Sequence, residues 1–168
     1  MATIPFTASS AVTEFAEMSE TLTGFDVVEL EGTGLVGPLY DELLSTIGSR
    51  EAGKLLGASS RVHHEYARKD RDALDRAFRE AILDDDRYGP VARNVVKMWY
   101  LGTWSQLPRA WRDAYGATSL DTDRVISATA YRESLVWIAG HTHPMGAKAP
   151  GHGSWSVPPL GVDRAVAP

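Results

Sequence analysis

Apolar residues recur at helical spacing through the first 105 residues of this 168-residue chain, and no run of alternating β-branched residues is long enough to build a sheet. That pattern predicts a mainly α fold, a compact helical domain of about four to six helices. Phe15, Met18 and Leu22 fall at i, i+3 and i+7, with Ser9 or Ser10 as a cap and Gly24 as a stop. A second helix reads from Leu35 to Ile47, with Pro38 in its first turn, Leu39, Leu43, Leu44 and Ile47 as its apolar stripe and Gly48 at its end. A third reads from Ser60 to Leu83, where Val62, Tyr66, Leu74, Phe78 and Ile82 make one face and the charges of 68–72 make the other. A fourth follows Pro90, with Val91, Val95, Met98 and Trp99 inward and Gly102 as its stop. Trp99 and Tyr100 thus read as core. Short helices are expected around Trp111 and Tyr115, and over Tyr131, Leu135 and Ile138.

From Ala139 to Pro168 no element fits. Ten of these thirty residues are Gly or Pro, yet Trp155, Val157 and Leu160 lie among them and are costly to leave in water. A structureless stretch longer than about 15 residues is uncommon in a compact domain unless it is functional or disordered. Large apolar anchors on a chain that cannot fold alone are what a partner-wrapping arm requires. An arm lying back over its own helices fits the composition equally well. The chain is therefore read as a helical domain over residues 1–138 and an extended arm over 139–168.

Composition excludes several classes of function. There is no cysteine, so disulfides, thiolate metal sites and cysteine nucleophiles are excluded. The net charge of −5 is uneven: residues 1–60 carry −7, residues 61–90 carry −1 and residues 91–168 carry +3. An excess that small, with no Lys/Arg run, does not suit a nucleic-acid surface. No stretch approaches the ~20 apolar residues of a membrane span. Residues 1–6 lack the basic start and apolar core of a signal peptide or twin-arginine leader, which gives the expectation of a cytoplasmic protein. Periplasmic or membrane-associated placement through partners is the alternative.

Motifs for unaided chemistry are sparse. Gly32, Gly34 and Gly37 spell G-x-G-x-x-G, but no βαβ repeat follows, and the stretch reads as a loop feeding a helix. Asp84, Asp85 and Asp86 read as an acidic helix exit and turn, because the glycine spacing does not match a calcium loop. His63 and His64 point about 100° apart on a helix, so one is expected exposed and the other partly packed. The sharpest local pattern is His141-Thr142-His143. In an extended segment both imidazoles share a face, and with His152 they would make three ligands of a hydrolytic zinc. No Asp or Glu lies between Gly140 and Leu160 to support them. A metal site at His141, His143 and His152 is therefore the alternative expectation, beside a free-standing helical binding module.

Four blocks, in order, resemble a known family. Residues 15–24, Phe-Ala-Glu-Met-Ser-Glu-Thr-Leu-Thr-Gly, resemble the F-x-x-L-S-x-x-L-T-G opening of the small subunits of FAD-dependent sugar and polyol dehydrogenases. That family includes the sorbitol, fructose and FAD glucose dehydrogenase small subunits and the gluconate 2-dehydrogenase small subunit. Met98-Trp99-Tyr100-Leu101-Gly102 is similar to its W-Y-x-G helix end, and residues 131–137 to its Y-x-x-S-L-x-W segment. His143-Pro144-Met145-Gly146 and residues 153–159 resemble its H-P-x-G and G-x-W-x-x-P-P close. The resemblance spans about residues 15 to 160. It implies a non-catalytic partner, with FAD and the alcohol oxidation residing in a glucose–methanol–choline (GMC) type large subunit and a cytochrome c subunit often accepting the electrons through haem c. Family small subunits commonly carry a twin-arginine leader, a pattern from which residues 1–6 depart. Trp137, His143, Pro144, Trp155, Pro158 and Pro159 are the residues expected to bind the flavoprotein, with no catalytic residue in this chain.

Overall fold

The structure, a computed structural model, describes residues 8–66, 70–142 and 144. It is mainly helical. The helix α1 (Ala8–Thr23) runs through the middle and packs against α2 (Val27–Gly32), α3 (Val36–Ile47), α4 (Ser49–Tyr66) and α6 (Gly89–Leu101). Between α4 and α6 lie α5 (Arg71–Phe78) and a π-helical turn over Arg79–Leu83. The chain then passes through β1 (Thr103–Trp104), α7 (Arg109–Tyr115), β2 (Arg124–Val125), α8 (Ala128–Arg132) and α9 (Leu135–Ala139).

The core forms where the apolar spacing predicts it. Phe15, Met18, Leu39, Leu43, Val95, Met98 and Trp99 are all fully buried. Trp99 stacks on Phe15 with ring centroids 6.4 Å apart, and its indole N–H donates to Ser19 Oγ at 2.9 Å. The Tyr100 hydroxyl donates to the Thr23 carbonyl at 2.8 Å. These bonds tie the end of α6 to the end of α1 without leaving the buried polar groups unpaired. Gly102 stops α6 at φ +65, and a Cβ there would sit 2.8 Å from the α8 backbone, so both conformation and close approach require glycine.

Several boundaries differ from the sequence expectation. Helix α1 already includes Ala8, so Ser9 and Ser10 lie within the helix, and the Ser10 hydroxyl bonds Glu14. The helix expected over 60–83 is two elements. The α4 helix begins eleven residues earlier than expected, at Ser49, and ends at Tyr66. Asp70 then starts α5, its carboxylate accepting from the Ala73 N–H at 2.7 Å. A side chain that caps a new helix competes with continuation of the old one. At Phe78 the spiral widens to the π turn, whose last bond runs from Asp84 N–H to Arg79 O at 2.9 Å. Asp85 then accepts from the Arg87 and Tyr88 N–H groups, so the triple-Asp segment is the expected turn.

The helix expected over Tyr131, Leu135 and Ile138 is also two. Ser134 turns its hydroxyl back onto the Tyr131 carbonyl at 3.0 Å and breaks the spiral there. Of the three apolar residues only Leu135 is buried, while Tyr131 and Ile138 are exposed. The body is thus cut into more and shorter helices than four to six.

Buried polar clamps hold the segment after α6. Asp121, 3% exposed, accepts from the Trp104 indole at 2.8 Å and the Leu107 N–H at 3.0 Å. Asn94 bonds Ser105 in both directions, and the Trp111 indole donates to the Arg87 carbonyl at 2.6 Å. Arg124 on β2 bonds Glu42 and Thr46 of α3. The two-residue strands pair antiparallel, Thr103 opposite Val125 and Trp104 opposite Arg124. No helix among the described residues is long and apolar enough to cross a membrane.

Candidate functional site

Two concave surfaces stand out, and they differ in character. The first is a groove of about 160 Å³ between α2 and α9, lined by Gly32 and Thr33 on one side and by Ser134, Trp137 and Ile138 on the other, with charged rims. Its α2 wall exists because Asp26 and Glu29 cap the helix reciprocally, Glu29 N–H to Asp26 at 2.8 Å and Asp26 N–H to Glu29 at 3.0 Å. Only Leu30 of that short helix is buried. Val28, one helical turn before Gly32, is 76% exposed.

The α9 wall is set by Trp137. Its ring meets Tyr131 edge-on at 5.3 Å, and its indole N–H donates to the Tyr131 carbonyl at 2.7 Å. That bond orients the indole, which stays half-buried with part of its face in water. Ile138, 57% exposed, continues the apolar surface. The chain leaves α9 through a tight reversal in which the Thr142 N–H returns to the Trp137 carbonyl at 2.8 Å. His141 there has φ +50, the left-handed region.

The predicted binding residues divide accordingly. Trp137 lines the groove and Pro144 is buried. His143, Trp155, Pro158 and Pro159 lie outside the described residues, as does His152. Of the alternative metal set only His141 is described, and it is exposed. Among the described residues no group of three or more His, Asp or Glu is placed to hold a metal ion.

The second surface is a cleft of about 580 Å³ bounded by α1, α4 and α5 and lined by Glu14, Glu17, Glu20, His63, His64 and Leu74 among others. His63 is half-buried and His64 exposed, as their spacing predicts. The His63 ring stacks on Phe78 at 5.6 Å, and its Nε2 lies 2.8 Å from Thr21 Oγ1. Burial lowers the His63 pKa from 6.5, and the negative charges of Glu17 and Glu20 oppose that shift only in part.

This chain matches no family model, no curated protein and no solved structure. Sequence spacing missed the α2 wall, although the Asp26-x-x-Glu29 capping signature was there to find it. It also gave no weight to Glu14, Glu17 and Glu20, whose intervals of three place them along one side of α1.

Proposed function

We propose that this chain is a non-catalytic small subunit that binds, folds and stabilises a GMC-type, FAD-dependent dehydrogenase of sugars, glycosides or polyols. The observation that carries the reading is the apolar surface left in water at Trp137 and Ile138 on the groove between α2 and α9, beside the point where the chain enters the Gly/Pro-rich arm. Exposed aromatic and aliphatic residues clustered at the rim of a groove are characteristic of protein-binding surfaces. The arm adds a second set of anchors in the resemblance's closing blocks: His143, Pro144, Trp155 and the Pro158-Pro159 pair. Of Trp99 and Tyr100, which carry another block, Trp99 is a core residue and Tyr100 packs half-buried against the core, and each donates its polar hydrogen to a partner on α1. That block supports the body and leaves docking to the others.

In this reading FAD and the oxidised alcohol are held by the large subunit, haem c by a cytochrome partner where one is present, and this chain contributes surface alone. Co-expression tests it. A GMC-type flavoprotein encoded beside this chain is produced with it, without it, and with Trp155→Ala. The expected result is soluble, flavin-loaded large subunit only in the presence of the intact chain, with Trp155→Ala weakening co-purification by about 2 kcal/mol or more. Equal yield and flavin content in all three preparations contradicts the reading.

A further inference from the structure

His141, just beyond α9, is the one residue other than glycine with positive φ among the described residues, at +50. Left-handed backbone is uncommon for a residue that carries a Cβ and persists only where the surroundings hold it. Two bonds hold it here. The His141 N–H returns to the Ile138 carbonyl at 3.1 Å, and the Thr142 N–H to the Trp137 carbonyl at 2.8 Å. Helices commonly end on this pair of bonds, with glycine at the turning point. In this chain the glycine stands one residue earlier. A Cβ on Gly140 would sit 2.9 Å from the Val136 carbonyl oxygen and 3.4 Å from the Thr142 side chain, so close approach accounts for Gly140. The change of direction falls to His141.

With His141 in the right-handed region α9 would run on, carrying the next residues outward at about 1.5 Å each. The left-handed turn folds Thr142 back over the last turn of α9 instead, and Pro144, two residues on, is buried. Trp137 and Ile138, whose carbonyls receive the two bonds, also line the groove between α2 and α9. Their main chain anchors the exit while their side chains form the groove wall, so a change in one is felt in the other. We infer that His141 is a positioning residue for docking: its left-handed backbone sends the chain into the Gly/Pro-rich arm alongside the groove, where a single partner surface meets both. Only the identity of that partner rests on the function proposed above.

The chain has no cysteine, so spin labels can be placed singly at Val28→Cys, exposed on α2, and Ala147→Cys, three residues beyond Pro144. Electron double resonance on the full chain then reads the exit direction without any partner. His141→Val, whose β-branched side chain disfavours positive φ, should shift the mean separation by about 5 Å or more, one helical turn. Gly140→Ala, which crowds the Val136 carbonyl, should shift it likewise and stands in should His141→Val fail to fold. His141→Asn, tolerant of the left-handed region, should keep the wild-type separation. His141→Gly should raise Tm by about 1–3 °C. An unchanged separation in His141→Val, or a lower Tm in His141→Gly, overturns the inference. Affinity for the GMC-type flavoprotein should fall about tenfold in His141→Val and be kept in His141→Asn. A wild-type complex that His141→Val leaves equally tight overturns the role of His141 alone. A wild-type chain that binds no flavoprotein overturns the proposed function and this docking role with it, whatever the label distances.

Discussion

Trp99 shows how one side chain joins two parts of the chain 80 residues apart. Its spacing with Val95 and Met98 marks it as inward-facing, and the structure buries it completely against Phe15. What spacing could not supply was its polar partner, because the bond to Ser19 depends on how α1 and α6 cross. Trp99→Ala should cost about 3–5 kcal/mol in urea unfolding, while Ser19→Ala, which strands the indole N–H, should cost about 1–3 kcal/mol.

Two titratable residues, Glu51 and His63, contribute to the pH response in the acid range. Burial alone would raise the pKa of the Glu51 carboxyl. Hydrogen bonds and charge from Arg87 at 2.6 Å and Lys54 at 3.3 Å outweigh that and hold it below its ordinary 4.5. Its folded pKa is depressed, so its stabilisation is present above 4.5 and is lost as pH falls through the folded value. His63 is the opposite case of a base kept neutral. The unfolded chain takes up its proton near 6.5 and the folded chain resists, so stability falls as pH drops below 6.5 towards the folded value. Urea midpoints measured across the acid range should show a shallower slope for Glu51→Gln below pH 4.5 and for His63→Gln just below 6.5. Unchanged slopes would contradict these assignments.

At the level of elements, the sequence was legible where a stop or a stripe acts locally. Gly24, Gly48 and Gly102 each follow a helix with positive φ, and Pro90 opens α6. The failures came where a polar side chain overrode the apolar stripe: Asp70 caps a new helix inside the expected 60–83 helix, and the Ser134 hydroxyl turns back onto the Tyr131 carbonyl in the one around Leu135. The early turns of α4 were invisible for another reason, since Gly53, Gly57, Ala58, Ser59 and Ser60 give a weak apolar signal although Ala58 and Ser59 are buried. Asp70→Ala should lower stability by about 1 kcal/mol. Gly102→Ala should cost more than that, because it adds the close approach to the α8 backbone to the cost of its left-handed φ. Thermal unfolding of the two variants side by side checks that order.

On the scale of the whole molecule, the described helices close a core around α1 and leave an apolar face at the α2–α9 end. Spacing could name Trp137 and Ile138 but not place them outside, because only the break at Ser134 turns Ile138 away from the core. It could not pair them with Gly32 and Thr33 either, since that groove joins segments over 100 residues apart. The proposed function requires docking to a flavoprotein through this face. Ile138→Glu alters a side chain already in water and should leave the melting temperature of the isolated chain nearly unchanged. The decisive measurement is the dissociation constant of purified small subunit for the GMC-type large subunit, wild type against Ile138→Glu. A loss of about tenfold or more with the fold intact is predicted; equal affinity for the two forms would contradict the claim.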